Sequence, residues 1–367
     1  MYRWGSIVPL IGGMTVGGKV ATGDDPSFLL SYTPFGDHEK NVRHHFPNTP
    51  YHDLASSKRP DWNLKEGKSN VDFVNALCPC SGLSMLSSGG KEVRESRNSW
   101  MYETARYVME DVRPRVFWGE NAPTFYTSAG NNVRAKLIDI GRSNGYTFST
   151  YHTNTIRHGV PQARQRSFYF FWRDSNPPLL EYYEKPWKNI ADYLAEVPEG
   201  VKHHTQADLE DAKKRLFKDD KLIWFLIDKY GDNYLQVMRE SLYKMDKNNL
   251  SILAYVIDMG LLDEAADFFK AQEWEKEHRW LTNLTAKFRK GQGIWDGTLQ
   301  LIRPDGHFMT LIHRNMTALH PTEDRALTLR ECMHIMALPH DFELVTKEWN
   351  HVCQNVGRQN SPVLFSS

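Results

Sequence analysis

Short apolar runs alternate with stretches of helical character through the first half of the chain, and this alternation constrains the fold more than any other feature. Residues 28–32, 73–77, 115–119 and 167–172 have the length and apolar content of strands, 51–54 and 148–154 also read as strands, and 6–18 opens with one. Between them, 37–45, 97–111 and 133–145 read as helices. The pattern predicts an α/β domain around a mainly parallel sheet, in which ligands gather outside the carboxyl ends of the strands. Polar residues that end an apolar run are therefore the places to search for chemistry.

The run at 73–77 stops at Pro79, and Cys80 follows on a loop rich in serine and glycine, a composition suited to closing over a substrate. Pro79 fixes its own φ and biases Cys78 toward extended geometry, so Cys80 is expected at a rigid strand end with its thiol directed outward. That placement suits a nucleophile, although an isolated cysteine is more commonly a buried, inert side chain. The run at 115–119 leads into Glu120 and Asn121, where the glutamate could also cap a following helix. Arg164 and Arg166 stand at alternating positions before the apolar run at 167–172. Near the start, 6–18 reads as a strand, a turn at Gly12-Gly13 and the opening of a helix. Such a turn lets a ligand approach backbone N–H groups, and an ordinary tight turn fits the same residues.

Lysine plus arginine balances aspartate plus glutamate, 45 against 45, so nucleic-acid binding would have to rely on local patches. One such patch is 287–293, where Arg289 and Lys290 are candidates for phosphate contact, with a solvated surface loop as the alternative. The four cysteines are unevenly placed and do not resemble a disulfide framework. Only Cys78-Pro79-Cys80 comes near zinc-ligand spacing, and the reading assigns no metal. The cysteine pattern fits a reducing cytoplasm, and no apolar run has the length of a membrane span, so no membrane partner is expected. Composition shifts after 176–178: residues 205–272 are charged and helical, and a helix is expected from Arg325 to about Ala337. No internal repeat is present.

Taken in order, these motifs resemble those of the DNA cytosine C5-methyltransferases, over nearly the whole chain. Pro79-Cys80 with Ser84 looks like the nucleophile motif and the start of its mobile loop, with Arg97 as the loop's arginine. Glu120-Asn121-Ala122 looks like the family's Glu-Asn-Val motif, and 159–166, with Gln162, Arg164 and Arg166, is close to its Gln-x-Arg-x-Arg motif. Residues 325–342 resemble the motif that follows the target-recognition region. The resemblance implies a Rossmann-like α/β methyltransferase domain at 1–180 with 345–367. It also implies a smaller, largely helical target-recognition domain inserted at 181–344. The implied enzyme is a monomer acting on double-stranded DNA with S-adenosylmethionine as donor. Cys80 would attack C6 of a flipped-out cytosine, Glu120 would hold N3, Arg166 would hold the O2 edge, and Arg164 would favour the thiolate. Pro79, Ser84, Arg97, Asn121, Gln162, Arg289 and Lys290 would bind the substrate. Ile11, Gly12, Gly13, Asp53 and Arg358 would bind the donor.

The donor side departs from the family pattern. The first motif, Phe-x-Gly-x-Gly preceded by an acid, has Ser6 in place of the acid, Val8 in place of Phe and Leu10 in place of the first Gly. The acid expected after the second strand is not in register, since Thr33 or Phe35 falls there and Asp37 lies two residues on. The final Gly-Asn pair becomes Gly357-Arg358. Two donors are consistent with this: S-adenosylmethionine itself, or a carboxylated analogue whose extra carboxylate pairs with Arg358. A catalytically weak DNA-binding relative and an RNA methyltransferase of the same fold are further readings. Retention of Cys80, Glu120, Arg164 and Arg166 argues for catalysis, because a binding module needs none of that set.

Overall fold

The computed structural model describes residues 2–31, 38–53, 71–78, 91–182, 184–215, 221–292, 298–311 and 318–345, with backbone alone at 38, 53 and 91–97. The chain forms two compact units: one takes in the residues up to Trp187 and resumes at Met336, and the other spans Lys188–Ile335.

The first unit is built on a seven-stranded sheet of order β3-β2-β1-β4-β5-β8-β6. Its strands are β1 (Trp4–Ile7), β2 (Phe28–Ser31), β3 (Tyr51–Asp53), β4 (Phe73–Ala76), β5 (Val116–Asn121), β6 (Tyr146–Asn154) and β8 (Gln165–Arg173); a two-residue β7 (Gln162–Ala163) precedes the last. Strands β1 to β5 pair in parallel, and β8 runs antiparallel between β5 and β6. This is the mainly parallel, Rossmann-like sheet that the alternating pattern predicts.

Successive residues of a strand point to opposite faces, and here both faces are covered. Phe28, Leu30, Phe117, Tyr169 and Phe171 face one side. There they meet Met101 and Ala105 of α3 (Lys91–Arg106) and Val133 and Leu137 of α4 (Asn131–Ser143). Trp118 and Phe168 face the other side, against Met14 of α1 (Gly13–Thr22), while Leu29 packs on Val42 and Phe46 of α2 (His38–His45). Burial on both faces is why the strands read as continuous apolar runs, each large side chain contributing roughly 1.5–3 kcal/mol. The helix expected at 97–111 begins earlier and ends in a π-helical segment, Tyr107–Val112. Arg113, at φ 54°, closes it with an N–H bond of 2.8 Å to the Val108 carbonyl. The wider turn lets Tyr107, Val108, Met109 and Val112 all reach the core.

The chain returns to this unit at its other end. Val345 N–H donates to Asn41 Oδ1 at 2.7 Å, and the His45 ring stacks on Phe342 with centroids 4.1 Å apart. In the second unit, helices including Lys221–Tyr230, Tyr234–Lys244, Leu262–Ala271 and Glu275–Arg289 enclose a core of Leu226, Met238, Tyr255, Phe269 and Leu281. The helix expected from Arg325 is shorter, Leu329–Ile335. The cause is a capping box. Thr328 N–H donates to Glu331 Oε2 at 2.7 Å, and Glu331 N–H donates to Thr328 Oγ1 at 3.3 Å, which fixes the start of the helix after Thr328. Arg325 lies ahead of it in a buried two-point contact with the Glu331 carboxylate, at 2.7 and 2.9 Å. Among the described residues no helix is long and apolar enough to cross a membrane.

Candidate active site

Sheet register gathers the chemistry-bearing residues. Ile7 pairs with Ala76, Ala76 with Gly119, and Asn121 with Ser167, so β1, β4 and β5 end along one edge. Because β8 is antiparallel, its beginning lies at that same edge.

Glu120 sits at the end of β5, 7% exposed, and its Oε1 lies 2.7 Å from Nε of Arg166, at the start of β8. At that depth the pair is little screened by solvent, and the guanidinium fixes the carboxylate's orientation. The neighbouring Asn121 is buried. Its Oδ1 accepts from Ala122 N–H at 2.9 Å and its Nδ2 donates to Met101 Sδ at 3.4 Å, tying the strand end to α3. Beneath Glu120, only glycine fits at position 119, since a Cβ there would stand 2.1 Å from the Tyr169 hydroxyl. That hydroxyl shares a hydrogen bond with the Cys78 thiol at the end of β4. Burial first, then the charges of Cys78 and Glu120, raise the phenol's pKa well above its ordinary value and keep it neutral. Tyr169 thus ties the β4 end to the β5 end from below.

Thr155 organises the segment that leads to Arg166. Its N–H donates to the Arg164 carbonyl at 3.1 Å, its Oγ1 accepts from Arg164 N–H at 3.2 Å, and the same hydroxyl donates to the Gln162 carbonyl. Arg164 is 1% exposed, and Gln162 is fully buried with its amide donating to Met336 Sδ at 3.5 Å. The bend before Gln162 is made by Gly159 at φ 85°. The adjacent buried His158 holds Thr153 Oγ1 at 2.9 Å, and burial, then Lys185, lowers its pKa to about 4.

On the donor side, the turn from β1 into α1 carries three residues with positive φ: Val8 at 54°, Leu10 at 53° and Gly12 at 100°. Leu10 stands where the family has glycine, yet the backbone keeps a left-handed conformation that costs a leucine roughly 1–2 kcal/mol. Gly12 caps α1 without a side chain, its N–H donating to the Pro9 carbonyl at 2.9 Å. Ile11, Gly12 and Gly13 are buried. Ser6, in the place of the acid, shares a 3.2 Å hydrogen bond with Thr15 of α1. A left-handed turn leading into a helix start is a place where a ligand can meet main-chain groups.

The register brings Glu120, Asn121, Arg166 and the Ile11–Gly13 turn to one edge. Pro79, Cys80, Ser84 and Arg358 lie outside the described residues. For Asp53, at the end of β3, and Arg97, in α3, the backbone alone is described. Arg289 and Lys290 belong to the second unit, where Arg289 forms a two-point contact with Asp263 at 2.8 and 2.9 Å. Among the described residues, no three His, Cys, Asp or Glu side chains gather as a metal-ligand set. Sequence reading passed over Tyr169 and Thr155 as supports of the site. Nothing marks Tyr169 within its apolar run, since register alone places it under Gly119.

The mainly parallel sheet of this order, with β8 antiparallel, is a Rossmann-like fold consistent with that of methyltransferases. The chain belongs more narrowly to the C-5 cytosine-specific DNA methylase family, whose profile matches residues 39–359, and it is a methyltransferase. Type II methyltransferase M.XorII of Xanthomonas oryzae pv. oryzae is 22% identical over 310 residues, covering 81% of this chain and 67% of that protein. Type II methyltransferase M.HhaI of Haemophilus parahaemolyticus is 22% identical over 167 residues, covering 44% of this chain and 50% of its own length. Among solved structures, a DNA modification methyltransferase encoded within an E. coli prophage superposes with a TM-score of 0.58 at 15% identity, covering 100% of this chain and 97% of that one. The Dnmt2 methyltransferase of S. pombe gives 0.59 at 11% identity, with the same coverage. At these identities the structural likeness speaks for the fold alone.

Proposed function

We propose that the protein transfers a methyl group from S-adenosylmethionine to C5 of cytosine in double-stranded DNA, with Cys80 as nucleophile. The observation that carries this reading is the Glu120–Arg166 pair, held at 2.7 Å on the edge where β4, the strand preceding Cys80 in sequence, ends. Cytosine C5 is a weak nucleophile until something adds to C6. The Cys80 thiolate forms the S–C6 bond, and the electron pair of the C5–C6 double bond moves through the ring toward N3. Glu120 relays a proton from solvent to N3 as that charge arrives, and Arg166, which pairs with the carboxylate so left, fixes its position and meets the O2 edge. Buried Arg164 adds positive charge that favours the thiolate. When bound, the donor supplies an electrophilic methyl group on a sulfonium. Gly12 and Gly13 at the start of α1 and Asp53 at the end of β3 hold it. After transfer N3 returns its proton to Glu120, a water molecule takes the C5 proton, the C5–H electron pair re-forms the C5–C6 double bond and the thiolate departs. The target base must leave the duplex stack to reach this edge, and the second unit selects the sequence. Membership of the C-5 cytosine-specific DNA methylase family supports S-adenosylmethionine as the donor.

The test is mass analysis of nucleosides from duplex DNA incubated with the protein and S-adenosylmethionine. The expected product is deoxycytidine carrying one additional methyl group. Unmodified cytosine, or methyl on another base, would overturn the proposal.

A further inference from the structure

The helix Glu275–Arg289 presents one solvent-facing stripe of unusual charge. Its inner side is fixed by the buried Leu281, Leu284 and Thr285. At 100° per residue the opposite side carries Lys276, Arg279, Trp280, Asn283, Lys287 and, just past the helix end, Lys290, all exposed. No carboxylate falls within that sector. Among the described residues none of these four cations forms an ion pair, whereas Lys213, Lys229, Arg239, Lys244, Lys247 and Arg289 of the same unit each hold a carboxylate. Arg289 and Lys290 adjoin in sequence, yet Arg289 turns to Asp263 on the neighbouring helix while Lys290 joins the outward stripe. Trp280, 41% exposed, interrupts the cations with a flat apolar surface. In a protein of zero formal net charge, such a concentration of one sign is local.

We infer that this stripe is a docking surface for the phosphate backbone of duplex DNA. The inference rests on the cytosine-methyltransferase reading and deepens it by naming the element of the second unit that carries the nucleic acid. The positions from 276 to 290 span about 21 Å along the helix axis, long enough to meet several phosphates. Cations already matched by carboxylates gain little from a phosphate, whereas cations held only by solvent release counterions from the DNA when they bind. Trp280 supplies an apolar surface against the sugar edges.

The experiment measures binding of the full chain to labelled duplex DNA over a range of salt concentrations. It compares wild type with a variant carrying Lys276→Gln, Arg279→Gln, Lys287→Gln and Lys290→Gln. A control of equal charge change carries Lys213→Gln, Lys214→Gln, Lys244→Gln and Lys247→Gln, and matched thermal melts verify folding. The stripe variant should bind more weakly at low salt, and its slope of log affinity against log salt should be shallower by up to about 3.6, at roughly 0.9 per phosphate contact. The control should keep the wild-type slope. An unchanged slope in the stripe variant overturns the inference, as does an equal change in the control. Loss of binding to structured RNA with duplex binding intact would assign the stripe to RNA and overturn it likewise. A wild type that methylates cytosine while the stripe variant keeps its slope refutes this surface alone. A wild type that binds no DNA refutes the surface and the methyltransferase reading together.

Discussion

Two places along the carboxyl edge are built differently. Where β5 meets β8, charge is matched and geometry is fixed from below: Arg166 holds Glu120, Asn121 is tied to α3, and Tyr169 fills the space that Gly119 leaves open. Where β1 turns into α1, the backbone takes left-handed conformations at two residues that are not glycine, and a serine–threonine hydrogen bond stands in the place of an acid. The first region keeps the family's residues and supports them by register. The second departs from the family's residues, and its backbone turns through left-handed conformations at Val8 and Leu10. A base-handling site needs particular functional groups at particular heights, whereas a donor turn needs mainly a backbone course, which tolerates substitution at a cost in strain.

The contrast can be broken from either side. Glu120→Gln keeps the shape and removes the titratable group, and kcat should fall by about 10²–10⁴ with DNA binding little changed. A kcat within a few-fold of wild type would mean that the carboxylate is not the proton donor. Gly119→Ala should cost about 3 kcal/mol in denaturant unfolding, because its Cβ meets both the Tyr169 ring and the Ala76 carbonyl. Stability equal to wild type would show that Tyr169 is not fixed beneath the strand.

A pH series sharpens the account of the same region. His158 has its folded pKa lowered to about 4, so between that value and its ordinary 6.5 the unfolded chain binds more protons than the folded one. Its contribution is fully present above pH 6.5 and is lost as pH falls toward 4. At pH 5 the loss is about 2 kcal/mol, and His158→Gln should remove that part of the acid sensitivity. Gly12→Ala should have the smallest effect, about 1–2 kcal/mol. The space above it is open, with Val42 Cγ2 3.7 Å away, and only its φ of 100° opposes the change. A loss as large as that at Gly119 would erase the distinction between a glycine needed for space and one needed for backbone freedom.

The centre of the sheet was legible because β1, β2, β4 and β5 are buried on both faces and rich in apolar residues, whereas β6 alternates half-buried and exposed positions. Glu120 and Arg166 stood out because each adjoins such a run, and register then brings their side chains to 2.7 Å of one another. What lay beyond reach depends on register. Nothing in Ser167 to Trp172 singles out Tyr169 until β8 is set antiparallel to β5. Arg325 read as the opening of a helix because Leu327-Thr328-Leu329-Arg330 continues the pattern. The capping box at Thr328 and Glu331 moves that start and leaves Arg325 in a buried ion pair. The basic patch at 287–293 was visible as composition, but the split between Arg289 and the outward lysines required the helix's rotation against its neighbour.

The most direct measurement of the base-handling edge needs no donor. If Cys80 adds to C6, C5 becomes basic enough to take a proton from solvent, so cytosine C5–H should exchange with deuterium when duplex DNA is incubated with the protein in D₂O. Nucleoside mass analysis should show deoxycytidine heavier by one mass unit with wild type and unchanged with Cys80→Ala. Exchange that persists in Cys80→Ala would contradict Cys80 as the nucleophile. No exchange with wild type, under conditions where duplex DNA is bound, would contradict the intact base-handling edge itself.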